Sequence, residues 1–160
     1  MSFNSQLELI YSGKASCDLG TDYWVVNKEF TCTFDSFGFQ TVTIPKGFLT
    51  DGASVPRLFW IFFPRWSIYG QAACVHDFLC EYLLIKERGV IKKITRKECD
   101  LLFLKLMKDG GVSRLKRNLM YAGVALYRKL SIVRDPSITV KKADLEEYLL
   151  DHHKKTGFWL

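Results

Sequence analysis

The segment that most constrains the fold is the stretch 69–85, which the residue pattern predicts to be a helix that is apolar on nearly every side. A helix without a polar face is stable only when it is buried. His76 and Asp77 stand in its middle. Because an unpaired carboxylate is costly to bury, both side chains need polar partners, water or a metal ion. The rest of the chain is therefore expected to surround this helix and to bring polar groups to it.

Length and composition predict one packed globular domain. The chain has 160 residues, of which 48% are hydrophobic and 14% aromatic, typical of a domain with its own core. Its five cysteines form no C-x-x-C pair and no zinc-finger spacing, so we expect reduced thiols. The N-terminus has no signal-peptide pattern, and no apolar run is long enough to cross a bilayer.

The charge is unevenly distributed. The net charge is +6; residues 1–80 hold five basic and seven acidic side chains, whereas residues 81–160 hold eighteen and ten. A basic half can attract nucleic acid, a phospholipid surface or an acidic protein. Because the basic residues are spread among acidic ones along helices, we expect solvated helix faces, and nucleic acid is not an expected partner.

Alternating residues predict strands in the first third of the chain. The candidate segments are 3–11, 23–28, 29–34 and 39–44, and the turn residues between the last two predict an antiparallel hairpin extended by the first strand. In the third segment the residues expected on one face are Phe30, Cys32 and Phe34. The basic run 86–93 is expected to be a loop.

Helices are predicted after residue 94. Thr95 and Glu98 have the spacing of a capping box, which predicts a helix that ends near residue 109. Segments 113–128 and 143–155 are further helices, the first with an apolar stripe at Leu115, Leu119, Ala122 and Leu126.

The predicted fold class is α+β, with a small N-terminal antiparallel β-sheet packed on three to four C-terminal helices. Residues 1–130 are expected to form a single domain, and residues 131–160 a basic C-terminal extension with one helix. An aromatic segment, 58–66, is expected to be buried where strands and helices meet; if exposed, it would be a contact for a partner or a membrane.

A polar loop supplies the other half of a candidate site. Segment 48–57 lies between apolar stretches and contains Asp51, and its supporting polar residues are Thr50, Ser54 and Arg57. Adjacent helical residues point about 100° apart, so His76 and Asp77 cannot both face one spot. If the helix that carries Asp100 packs beside them, that carboxylate can orient the His76 ring.

Three interpretations of these residues stay open. In the first, His76, Asp77 and Asp100 are catalytic, and Asp51 joins His76 and Asp77 as a ligand of a divalent metal ion of unspecified identity. In the second, the same groups are a structural brace and His76 is a core histidine. In the third, they shape a protein-binding surface. Cys80, one turn after His76, is a weaker candidate because an apolar setting disfavours the thiolate.

Four motifs in order make the chain resemble the DUF1353 family, a family of small bacteriophage and prophage proteins of uncharacterised function. They are G-F-x-T-D-x-A-S-V-P-R from Gly47, A-A-x-x-H-D-x-L from Ala72, R-x-x-x-D-x-x-F from Arg96, and Arg117 followed by Met120-Tyr121. The resemblance covers roughly residues 20–130. The family pattern has Tyr at the position of Cys80 and Leu at that of Gly52.

The resemblance implies a phage origin and a polar cluster at Asp51, Ser54, Arg57, His76, Asp77 and Asp100. We therefore expect a virion-associated or late-expressed protein with a hydrolase-like His/Asp site that acts on peptidoglycan or lipid. The alternative is a non-enzymatic tail or baseplate component. We expect synthesis in the host cytoplasm, location in the virion, and contacts with other phage proteins through the C-terminal extension; a homo-oligomer stays open.

Overall fold

The computed structural model describes residues 2–35, 39–52, 67–130 and 135–160. Antiparallel strands dominate the first half and helices the second, so the predicted α+β class is confirmed. The strands are β1 Ser2–Phe3, β2 Leu9–Tyr11, β3 Trp24–Val26, β4 Phe30–Thr33, β5 Gln40–Ile44, β6 Leu49–Thr50, β7 Leu84–Glu87 and β8 Val90–Lys93. The helices are α1 Gly13–Leu19, α2 Gly70–Tyr82, α3 Arg96–Asp109, α4 Arg114–Leu130 and α5 Val140–Thr156.

The predicted hairpin is the centre of a five-stranded antiparallel sheet with the order β1-β4-β5-β7-β8. Cys32 lies opposite Val42 in its register. Phe30, Cys32 and Phe34 are all buried, as the alternating pattern predicts. This face packs on α2, which lies in the main core.

Two predictions about strands were wrong. Segment 3–11 is not one strand, because β1 joins the five-stranded sheet while β2 pairs with β3 in a separate sheet of order β2-β3-β6. The run 86–93 is not a loop but most of the β7–β8 hairpin. Arg88 and Gly89 both have positive φ there, 49° and 85°, which is the backbone of a tight two-residue hairpin turn.

The long helices fall where the sequence predicts them, within a few residues. The capping box is present: the Glu98 amide donates to Thr95 Oγ1 at 3.2 Å, and the Thr95 amide donates to Glu98 Oε2 at 2.7 Å. Four of the five cysteines are buried and all five are free thiols. Among the described helices, none is both long and apolar enough to span a bilayer.

The C-terminal extension packs back on the three-stranded sheet. Leu145 and Leu149 of α5 form a second small core with residues of β3, β6 and α1. After α5, Trp159 Nε1 donates to Asn27 Oδ1 at 2.9 Å. Residues 131–160 hold five basic and five acidic side chains, so the expectation of a basic extension was wrong by count.

The loop that carries Ser54 and Arg57, together with the aromatic segment 58–66, lies outside the described residues except for the loop's first part up to Gly52. The expectations for Ser54, Arg57 and the aromatic segment therefore stay predictions.

Candidate functional site

Helix α2 presents two polar pairs, each with the spacing i, i+4. His76 and Cys80 lie on one face, and Asp77 and Glu81 lie on the neighbouring face, about 100° around the helix. Most other α2 side chains are buried and apolar. The helix thus delivers two separate polar groups into the interior, on different sides.

The first group, called here the histidine cluster, consists of His76, Cys80, Asp100 and Arg128. His76 Nε2 lies 3.1 Å from Asp100 Oδ1 and 3.5 Å from Cys80 Sγ. Arg128 Nε donates to the other carboxylate oxygen, Asp100 Oδ2, at 2.7 Å. Asp100 is only 3% exposed, so both of its oxygens are held by charged partners within the protein.

Three helices fix this geometry. The capping box sets the start of α3, and Asp100 lies in its second turn. Phe103, one turn further, stacks on the His76 ring with centroids 4.7 Å apart. Arg128 comes from the last turn of α4, which packs on α3.

The titration of the cluster is strongly perturbed. Burial by itself would lower the pKa of His76, but hydrogen bonds with Asp100 and Cys80 outweigh it and raise the pKa to about 10. A hydrogen bond with Cys99, opposed by burial and helped by His76, lowers the pKa of the Cys80 thiol to about 4. Burial opposes ionisation of Asp100, yet hydrogen bonds from His76 and Arg128 lower its pKa. The shifts at all three side chains thus favour their charged forms.

The contacts at His76 help to distinguish a catalytic nucleophile–His–Asp relay from a metal-binding site. In a nucleophile–His–Asp relay, the acid and the nucleophile contact different ring nitrogens. Here both the carboxylate and the thiol lie next to Nε2. Within the described part of the chain, donor atoms of His76, Cys80 and Asp100 all lie within 4.8 Å of one another. Nitrogen, sulfur and oxygen donors that converge in this way suit zinc better than they suit a relay.

The second group, called here the carboxylate cluster, consists of Thr50, Asp77, Glu81, Lys142 and Glu146. Thr50 Oγ1 donates to Asp77 Oδ2 at 2.6 Å. Lys142 Nζ pairs with Glu81 and lies 3.7 Å from Glu146 Oε1. Glu146 Oε1 also accepts from the Leu49 amide at 2.8 Å. A lysine of α5 thus sits among carboxylates supplied by α2 and by α5 itself.

Burial dominates the titration of this second cluster. Burial, reinforced by the charge of Asp51, raises the pKa of Asp77 well above its ordinary value, although Thr50 opposes the shift. Burial also raises the pKa of Glu81, to about 7, against the opposing effect of Lys142. Within the described residues, Glu81 Oε2 is a buried oxygen without a hydrogen-bond partner.

The structure brings together only some of the predicted site residues. His76 and Asp100 are in contact, with His76 Nε2 3.1 Å from Asp100 Oδ1. Asp77 lies in the carboxylate cluster, and neither it nor Asp51 belongs to the converging donor set around His76. Thr50 lies beside Asp77, to which its hydroxyl donates a hydrogen bond.

Several groups that complete the clusters have a weak signal in the sequence or none. Cys80 has the i+4 spacing from His76, although its apolar surroundings make it the weaker candidate from sequence. Arg128, Lys142 and Glu146 come from distant helices, and no local pattern connects them to α2.

Comparison with known proteins places most of the chain in one family. Residues 24–124 match the family described as "Protein of unknown function (DUF1353)". The chain is 33% identical over 86 residues to "Uncharacterized protein y4jT" of Sinorhizobium fredii (strain NBRC 101917 / NGR234), an alignment that covers 52% of this chain. The alignment spans only 23% of that relative's length. No solved structure matches the chain.

The matched region includes α2, α3 and all of β3 to β8, and so contains His76, Cys80 and Asp100. Arg128 and all of α5 lie beyond it. This extent of match shows that the chain belongs to the DUF1353 family.

Proposed function

We propose that the chain is a bacteriophage-associated, metal-dependent hydrolase whose metal is held by the histidine cluster. The observation that carries the proposal is the convergence of His76 Nε2, Cys80 Sγ and a carboxylate oxygen of Asp100. Catalytic zinc sites use three protein ligands and leave one position for water or substrate. The cluster offers three such donors within the described residues.

The surrounding residues are arranged as support for such ligands. Arg128 holds the Asp100 oxygen that does not face His76, which would fix the carboxylate and balance its charge. Phe103 stacks on the imidazole and limits its rotation. Zinc, when bound, lowers the pKa of a bound water to near neutrality and polarises a carbonyl group. Metal binding would have to displace the proton of His76, so metal affinity should fall as pH falls.

The substrate class and the phage setting rest on the family resemblance. We propose an envelope component, peptidoglycan or lipid, as the target, with synthesis in the host cytoplasm and a place in or on the virion. Contacts with other phage proteins would use the outer side of the C-terminal extension. Its inner side is occupied by the protein's own core, while Tyr148 and Phe158 are exposed.

The test is the metal content of purified protein after equilibration with zinc and removal of free metal. We expect about one equivalent of zinc in the wild type and loss of at least about tenfold in affinity in Cys80→Ser and in His76→Ala. Cys17→Ser is the matched control, because Cys17 is an exposed free thiol and should leave metal binding unchanged. Zinc-loaded protein would then be assayed on peptidoglycan and phospholipid.

The second candidate is a non-enzymatic tail or baseplate component in which the histidine cluster is a brace. The observation that favours it is that buried Asp100 ties α2 to α4 through His76 and Arg128. In that case the wild type would bind no zinc, and His76→Ala would lower the melting temperature strongly. That pair of results would overturn the metal proposal.

A further inference from the structure

The side of helix α4 that packs on the rest of the protein carries both apolar and basic residues. Its one buried residue is Met120, and the partly buried Val124 packs against the same core. On this side Arg117 Nη1 donates to the Val112 carbonyl at 3.0 Å, and Arg128 reaches Asp100. The inner face of α4 is thus already occupied by internal contacts.

The apolar stripe of α4 faces outward. Among the long helices, α4 has the strongest separation of apolar and polar faces. Successive spacings of four, seven and four residues separate Leu115, Leu119, Leu126 and Leu130, which places them on one side of the helix. Their exposed fractions are 73% for Leu115, 52% for Leu119, 56% for Leu126 and 74% for Leu130. A row of exposed leucines of this length is typical of a surface that contacts an apolar phase or partner.

The charge of α4 indicates which kind of partner its outward face contacts. The helix contains five basic side chains and no Asp or Glu. Placed on a helical wheel, Lys129 and Arg114 lie toward one border of the leucine stripe, while Lys116 and Tyr127 lie toward the other. The Lys116 ammonium also lies 4.9 Å from the centroid of the Tyr69 ring. Apolar residues in the centre with cations at both borders match a helix that lies in the plane of a membrane surface. A second copy of α4 would bring its own border cations, Arg114, Lys116 and Lys129, close to the same cations of the first, and is disfavoured by repulsion.

We propose that the outward face of α4 docks the protein on an anionic phospholipid surface, with the helix parallel to the bilayer. The leucine stripe enters the boundary between headgroups and acyl chains, and the flanking cations contact lipid phosphates. This proposal does not depend on the metal chemistry of the histidine cluster. The outward face of α4 and the histidine cluster are nevertheless close together, because Arg128 on α4 donates to Asp100. Docking would therefore leave only the thickness of α4 between the histidine cluster and the lipid.

The experiment is cosedimentation with vesicles, comparing pure phosphatidylcholine with an equal mixture of phosphatidylcholine and phosphatidylglycerol. The wild type should sediment with the mixed vesicles, less so as salt is raised, and only weakly with the neutral ones. The double variant Leu119→Glu, Leu126→Glu should lose at least about tenfold in binding. Because both leucines are exposed, this variant should keep its helical content by circular dichroism.

A matched control makes the same chemical change elsewhere. Val140→Glu places a carboxylate at a residue that is 79% exposed in the first turn of α5, and it should bind vesicles like the wild type. Arg114→Gln, Lys129→Gln tests the charge requirement and should weaken binding to the mixed vesicles.

Four results would overturn the proposal. One is absence of wild-type binding to either vesicle, and a second is equal binding to neutral and anionic vesicles. A third is unchanged binding by the double glutamate variant. The fourth is a wild-type dimer that the double variant dissociates, which would assign the stripe to an interface between copies of this chain.

Discussion

Replacing Lys142 by Met tests the energetics of the carboxylate cluster. The substitution keeps a flexible apolar stem and removes the ammonium. Lys142 is only 6% exposed and contacts Glu81 and Glu146, which are themselves largely buried. Removing one partner of a buried ion pair leaves an uncompensated charge and typically costs about 3–5 kcal/mol. We expect a loss of that size in the free energy of unfolding at pH 8.

The cost should depend on pH because an orphaned carboxylate can bind a proton. Folding raises the pKa of Glu81 from an ordinary 4.5 to about 7. The folded state therefore binds more protons than the unfolded state in this range, and the stability from Glu81 is greatest below pH 4.5 and falls as pH rises through 7. At pH 5 the Glu81 carboxyl is already protonated in the wild type, because its pKa of about 7 lies two units higher. Removing the ammonium then leaves no unpaired Glu81 charge, so the loss caused by Lys142→Met should shrink to about 1 kcal/mol, the scale of a lost neutral hydrogen bond.

The assay is urea denaturation followed by circular dichroism at pH 5 and pH 8, for the wild type, Lys142→Met and Lys141→Met. Lys141 is the matched control because it is the exposed neighbour of Lys142 on the same helix, and its replacement should cost under about 0.5 kcal/mol. Equal costs of Lys142→Met at the two pH values, or a cost below about 1 kcal/mol at pH 8, would contradict a buried ion pair at this position.

Three further predictions concern the histidine cluster and its support. In metal-free protein the Cys80 thiolate should persist down to about pH 4 to 5. The measurement is the thiolate absorbance near 240 nm, which Cys80→Ser should lack. Absorbance that appears only above pH 8 would contradict the hydrogen bonding assigned to this thiol. Arg128→Met removes a charged hydrogen bond to buried Asp100 and should cost about 1.5–3 kcal/mol in urea denaturation, and a neutral effect would mean that water replaces the guanidinium. Thr95→Ala removes the cap of α3 and should cost about 1 kcal/mol in the same measurement; a loss below about 0.3 kcal/mol would show that the capping box adds little.

The parts of the fold that sequence could predict are those with strong local signals. The β4–β5 hairpin has alternating residues and turn chemistry, and α3 has its capping box, so both were found. The β7–β8 hairpin was missed because lysines mask its alternation and because its strand β7 is stabilised by pairing with β5, far away in the chain. Tertiary pairing of this kind leaves little trace in a local window.

Prediction of the candidate site from sequence has the same limit. The contact between His76 and Asp100 followed from an apolar helix that needed a partner, and from a second helix with a carboxylate near its start. The sequence predicted only in part that Asp77 lies apart from this contact. The angle of about 100° between adjacent helical residues shows that His76 and Asp77 cannot face the same spot, but not where Asp77 points instead. That Lys142 would enter the core could not be predicted, because buried lysines are rare and its partner Glu81 lies 61 residues away in the chain.

The two polar pairs of α2 also determine the rotational setting of that helix. Loss of one residue before His76 would turn the remainder by about 100°. Asp77 would then take the place of His76 beside Asp100, and Glu81 would take the place of Cys80. Three carboxyl groups, those of Asp77, Glu81 and Asp100, would then lie together at a place where Asp100 now contacts an imidazole beside a thiol. Apolar packing alone would tolerate such a slip, because α2 is apolar on nearly every side, so it is the charge pattern that allows only one register of this helix.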